Sequence, residues 1–113
     1  MCSLESIEAE VRVGTFTYGP ASIDVEFEDR LLAHLRAVIV TKLRRTECFL
    51  FTWNDTSGPE EVQRSLWMHP SVGMRFELSP SAAKPLNRAW VELLTSAANS
   101  DAGLTVLPEP KPA

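Results

Sequence analysis

The chain has 113 residues, 44% of them hydrophobic and 8% aromatic, and 15 acidic against 11 basic side chains give a net charge of −4. That length makes one domain, able to bury a core without a disulfide or metal staple. The composition excludes a disordered tail, a collagen-like repeat, a disulfide scaffold and a membrane span, and the acidic balance opposes a protein that coats nucleic acid.

Residues 1–12 are polar and acidic, lack the basic start of a signal peptide, and read as a loose N-terminal extension. Cys2 and Cys48 are unframed by other cysteines, which suits reduced thiols and a cytoplasmic location. From Val13 to Tyr18 the β-branched and aromatic content rises, and Gly19-Pro20 breaks the run. Ile23, Val25 and Phe27 then alternate with Asp24, Glu26 and Glu28, the pattern of a half-buried strand, so the two runs predict a hairpin.

At Asp29 the period changes to 3.6: Leu31, Leu32, Leu35, Val38, Ile39 and Leu43 share one arc of a helix to about Arg45. Asp29 is the candidate N-cap, and Lys42, Arg44 and Arg45 suit the negative end of the helix dipole. Glu47 to Trp53 reads as a central aromatic strand, followed by a loop over 54–59. Arg64 to His69 and Val72 to Leu78 read as two strands broken at Pro70-Ser71. A second helix places Leu86, Ala89, Trp90, Leu93, Leu94 and Ala97 on one face, ending near Asn99. Leu104 to Leu107 is a last short strand, and residues 108–113 a proline-rich C-terminal tail. The expected fold is α+β over residues 13–107, an antiparallel-rich sheet in β-β-α-β-β-β-α-β order with two helices packed on one face.

Few residues offer chemistry. His34 and His69 are the only histidines, neither close in sequence to another His, Cys or paired carboxylate, so no metal site can be read and no cofactor is implied. On the helical wheel His34 joins Ala37, Thr41 and Arg45, away from the apolar arc, which predicts a solvated side chain. His69 reads as a turn residue, and as a general base it would need an oriented partner. Asp24, Glu26 and Glu28 fit the outward face of an edge strand better than a shared cation site. Glycine-rich phosphate loops and a Lys-x-Asp-Gly element are absent. Phe49, Phe51 and Trp53 suit core packing better than base stacking. The one local departure in charge is residues 30–45, with five basic and no acidic side chains. Within it Arg36, Lys42, Arg44 and Arg45 are the candidate ligand- or partner-binding residues.

Several words of the sequence are familiar: Phe16-Thr17-Tyr18-Gly19, Val25-Glu26-Phe27-Glu28-Asp29-Arg30, Leu32-Ala33-His34-Leu35, Lys42-Leu43-Arg44-Arg45, Trp67-Met68-His69-Pro70-Ser71, Leu86-Asn87-Arg88-Ala89-Trp90, Ala98-Asn99-Ser100 and Pro108-Glu109-Pro110. In these words the chain resembles a family of small actinobacterial proteins, a domain of unknown function, some members of which carry the label ATP-dependent DNA ligase. The resemblance implies no catalytic residues. It aligns Val13-Gly14 with the Met-Gly pair at which members begin, which is why residues 1–12 are expected to lie outside the domain.

The resulting expectation is a non-catalytic cytoplasmic domain that binds a macromolecule or an anionic ligand, its partner being another protein or a second copy. Nucleic acid is the weaker partner class and a membrane is not expected. The alternatives are an accessory of an ATP-dependent DNA ligase or a small enzyme using His69.

Overall fold

The computed structural model describes residues 13–56, 58–83 and 85–111, so the expected extension over 1–12 lies outside the described residues. Strand β1 (Val13–Tyr18) turns through Gly19, at φ 80°, into β2 (Ile23–Glu28), with Phe16 opposite Val25 and Tyr18 opposite Ile23. Helix α1 (Asp29–Arg44) follows with no loop between. Asp29 is not its N-cap: Glu28 holds that position, without a side-chain cap bond. Asp29 is the first helical residue, buried, and its carboxylate accepts the Ser79 backbone N–H and the Ser79 hydroxyl at 2.7 Å. It therefore ties down the chain that leaves the sheet rather than capping its own helix. Gly14 makes the close approach possible, since a Cβ there would sit 2.7 Å from the Glu77 carbonyl and 2.8 Å from Leu32 Cδ2.

Strand β3 (Phe49–Asp55) pairs antiparallel with β4 (Val62–Met68), which starts two residues before the expected Arg64. The turn at residues 69–73 then carries the chain away, and β5 (Met74–Glu77) pairs with β1, Phe76 opposite Phe16. After a 3₁₀ turn (Pro80–Ala83) comes α2 (Arg88–Ala98), then β6 (Leu104–Thr105), which lies parallel to β3. The α+β class, the element order and the antiparallel bias are as expected. The strands form two three-stranded sheets, ordered β2-β1-β5 and β4-β3-β6, because β5 returns to β1 instead of continuing from β4.

The two sheets and two helices enclose one core. Phe27 packs on Phe51 and Trp53 with ring centroids 5.8 Å apart in each case, joining the sheets through aromatic faces and edges. Helix α1 lies against β1 and β2, α2 against β3 and β6, and the helices pack on each other. In α2 the buried stripe is Trp90, Leu94 and Ala98, each four residues on. Leu86 and Leu93, expected on that face, are exposed: Leu86 precedes the cap, and Leu93 falls beside the narrow stripe. Among the described residues no helix is long and apolar enough to cross a membrane.

Candidate functional site

The basic segment does not stay together as one patch. At its N-terminal end the Arg30 guanidinium is paired with Glu109, Nη2 to Oε2 at 2.9 Å, and donates to the Pro85 carbonyl. At the other end Thr46 takes a left-handed φ of 57° and turns the chain so that the Glu47 N–H donates to the Lys42 carbonyl. Glu47 then sets its carboxylate 2.9 Å from Lys42 Nζ, which also donates to Asn99 Oδ1 at 2.6 Å. Lys42 is buried, and holds the carboxyl of Glu47 below its ordinary range. Of the four predicted binding residues, Lys42 is thus withdrawn from the surface and joins α1 to the C-cap of α2.

Arg36, Arg44 and Arg45 remain. Arg36, Val40 and Arg44 follow one another at four-residue spacing, which makes one column of the helix, and Thr41 and Arg45 lie in the next. Val40, Thr41, Arg44 and Arg45 are exposed and Arg36 is half-buried. Arg45 reaches only to 4.0 Å of Glu47, while Arg36 and Arg44 have no hydrogen bond or ion pair within the described residues. Arg30 and Lys42 behave differently, as do Arg64, paired with Asp55 at 2.8 Å, and Arg75, paired with Glu77 at 3.2 Å.

His34, expected in solvent, is 0% exposed. Its ring stacks on Trp90 with centroids 4.4 Å apart, Nδ1 donates to the Arg30 carbonyl and Nε2 accepts the Asn87 N–H, both at 2.8 Å. A carbonyl only accepts and an amide N–H only donates, so these partners fix a neutral imidazole with its proton on Nδ1. Burial pushes its pKa down, against an opposing push from the Arg30 carbonyl. The site is a joint: Asn87 caps α2 through its side-chain oxygen, and its amide nitrogen donates to Glu109 and to the Pro110 carbonyl. The C-terminal segment expected as a tail is therefore bound along residues 109–110, and the Arg30 and Asn87 bonds lower the Glu109 pKa to about 2. No proton donor or acceptor on the ring is left to meet a substrate.

His69 is exposed at the end of β4. Its partner is Ser71, whose hydroxyl lies 2.8 Å from Nδ1 and whose N–H donates to the same nitrogen at 3.1 Å. That is a local turn, with the ring nitrogen already engaged by the backbone. Cys48 is a free, exposed thiol. Among the described residues no three His, Cys, Asp or Glu side chains are grouped to hold a metal ion.

One concavity joins β2, whose acidic residues the sequence offered as a solvated strand face, to the β3–β4 hairpin. A cleft of about 850 Å³ runs between β2 and the β3–β4 hairpin, lined by Ile23–Phe27 on one side and by Trp53–Thr56 and Arg64–Leu66 on the other. Nothing in the periodicity announces it, because it depends on the strands dividing into two sheets. Ile23, which alternation groups with Val25 and Phe27 on the apolar face of β2, is 45% exposed there.

A family model described as Domain of unknown function (DUF7882) matches residues 13–109, and the chain belongs to that family. No curated protein and no solved structure matches the chain.

Proposed function

We propose that this member of the DUF7882 family is a non-catalytic, cytoplasmic interaction domain that docks an acidic protein on the outer face of α1. The observation that carries the reading is the pair Arg36 and Arg44, two turns apart on one column and without a hydrogen bond or ion pair among the described residues, in a chain of net −4. Cations kept apart from the many available carboxylates are free to meet those of another molecule, and arginine does so with two parallel hydrogen bonds. Val40, exposed between them, adds apolar contact. The stripe ends at the helix C-terminus, whose carbonyls repel any anion, so a partner's carboxylates are met by the long side chains and not by the helix end, and the net charge of −4 opposes the polyanionic backbone of nucleic acid.

A fluorescent decapeptide of alternating glutamate and leucine is the first probe, with duplex DNA as its competitor. Replacing Arg36, Arg44 and Arg45 together by alanine is expected to weaken peptide binding roughly tenfold, each exposed pair being worth about 0.2–1 kcal/mol. DNA binding tighter than peptide binding at physiological salt, lost in the same variant, would move the reading to nucleic acid. Actinobacterial kinship and an accessory role beside an ATP-dependent DNA ligase belong to the same proposal, since a ligase partner would be found on this stripe. Ligation by the chain itself needs a lysine nucleophile set in a Lys-x-Asp-Gly element, which the sequence lacks, and Lys42 is buried against Asn99 and Glu47. Incubation with labelled ATP and magnesium is accordingly expected to leave the protein unlabelled.

A further inference from the structure

We infer that the cleft between β2 and β4 is a second docking site, which takes an extended segment of a partner protein, basic and apolar in alternation, as an added strand. Independent of the arginine stripe, it rests on backbone, apolar surface and charge.

Among the described residues β2 pairs only with β1, and β4 only with β3, so each leaves one edge of backbone N–H and C=O groups without a strand. Both strands border the same cleft. On β4 the direction of the free groups is fixed by Tyr18, whose hydroxyl donates to the Trp67 carbonyl and accepts the His69 N–H. The Trp67 carbonyl therefore points away from β3. By the two-residue period of a strand, Ser65 and Gln63 present their backbone groups on that same edge. Tyr18 closes the edge at one end and leaves it open towards Val62.

Below the edges lie Val25, Phe27, Trp53 and Leu66, an apolar floor suited to alternate side chains of an incoming strand. Ile23, with 45% of its surface exposed, stands at the rim. The charged lining is Asp24, Glu26 and Asp55 against Arg64, and Arg64 is already held by Asp55 at 2.8 Å. Asp24 accepts a hydrogen bond from Thr17, which leaves its charge intact. Asp24 and Glu26 thus line the rim of the cleft without a paired cation among the described residues.

These carboxylates decide the occupant. A second copy presenting its own β2 would bring Asp24 and Glu26 against Asp24 and Glu26, and like charges across a strand pair are destabilising. The chain's own residues 1–12 carry Glu5, Glu8 and Glu10 against Arg12, and meet the same repulsion. A strand with lysine or arginine at alternate positions gains from the charges that reject the other two.

The probe is a fluorescent octapeptide alternating lysine and valine, read by anisotropy against the full chain. Three controls accompany it: the glutamate–valine counterpart, the same lysine peptide with N-methylated valines, and the variant Asp24→Lys/Glu26→Lys. The lysine peptide is expected to bind and the glutamate peptide not to. The double variant is expected to lose affinity at least tenfold, as is N-methylation, which removes the backbone donors of alternate residues. Binding should protect the amides of Ser65 or of β2 from hydrogen exchange, while Arg36→Ala/Arg44→Ala/Arg45→Ala leaves it unchanged. Ile23→Lys, a change at an exposed position that adds a repelling charge to the rim, provides a second variant expected to weaken binding should the double variant misfold. Equal binding of the N-methylated peptide would overturn strand addition. So would dimerisation of the chain alone that Asp24→Lys/Glu26→Lys abolishes, because the cleft would then belong to a second copy.

Discussion

His34 accepts at Nε2 the backbone N–H of Asn87, the residue that caps the second helix, at 2.8 Å. One imidazole therefore couples the middle of α1 to the start of α2, and it can do so only when neutral. Its folded pKa is lowered while the unfolded chain takes up a proton near pH 6.5. The unfolded state binds more protons as the pH falls, so this contribution to stability is complete above about pH 6.5 and shrinks below it. Denaturant unfolding at pH 7.5 and 5.5 should show the folded state weakening at the lower pH. His34→Gln, which can still accept the Asn87 N–H, should remove most of that difference. His34→Ala should cost about 1–3 kcal/mol at both values by orphaning a buried N–H, which is several degrees in Tm. An unchanged pH difference in the glutamine variant would assign the effect to another group.

Glu109 governs a separate, more acidic window. Its carboxyl titrates near 4.5 ordinarily and is held to about 2 by Arg30 and Asn87. The stabilisation it provides is present above about pH 4.5 and is lost as the pH falls towards 2. Glu109→Gln should flatten the acid limb of the stability curve there and leave the limb between pH 5.5 and 7.5 as it was. Ending the chain after Leu107 removes both acceptors of the buried Asn87 amide and should lower Tm by several degrees. A truncated protein as stable as the full chain would show that residues 108–111 contribute nothing to the fold.

Lys42 and Arg44 are two residues apart and should behave oppositely. Lys42→Ala removes a buried stem and the bond to Asn99, and should destabilise by about 1–2 kcal/mol, with Lys42→Met recovering the part due to packing. Arg44→Ala should change stability by less than about 0.5 kcal/mol and act only on partner binding. Thermal unfolding of the three variants, beside peptide binding by each, separates the two roles.

Asp29 and Ser79 should be coupled. Asp29→Ala leaves the Ser79 N–H without its acceptor at a buried junction, and a loss of about 1–3 kcal/mol is expected. In a double-mutant cycle with Ser79→Ala the interaction energy should exceed about 0.5 kcal/mol. Additive effects would mean that the carboxylate matters to the helix start alone.

The strands and helices were legible because their apolar periods are clean: Ile23, Val25 and Phe27 at two, Leu32, Leu35 and Ile39 near 3.6. His34 was not, although it sits among them. Its wheel column is exposed further along at Thr41 and Arg45, and only the crossing of α2 covers the first turns. Its partner is 53 residues away in sequence, and the partner of Arg30 is 79 away, distances at which no local pattern speaks. The words that carry the family resemblance do meet in space: His34 with Asn87, Asn87 with Glu109 of the last word, Lys42 with Asn99, Tyr18 with Trp67 and His69. They are joints between elements, which is a structural reason for their being distinctive. The cleft lies outside any single word, and the division into two sheets that creates it follows from where β5 goes.

Each sheet begins as a neighbouring pair of strands and is completed by a third from far along the chain, β5 for the first and β6 for the second. The completing strands interleave, so any single cut between β2 and β6 leaves at least one sheet short of a member. The domain therefore has no half that could be inherited, fused or expressed by itself. Limited proteolysis in the loop after β3 should yield two fragments that stay together until denatured. Recombination within the gene would preserve function only by exchanging the unit whole.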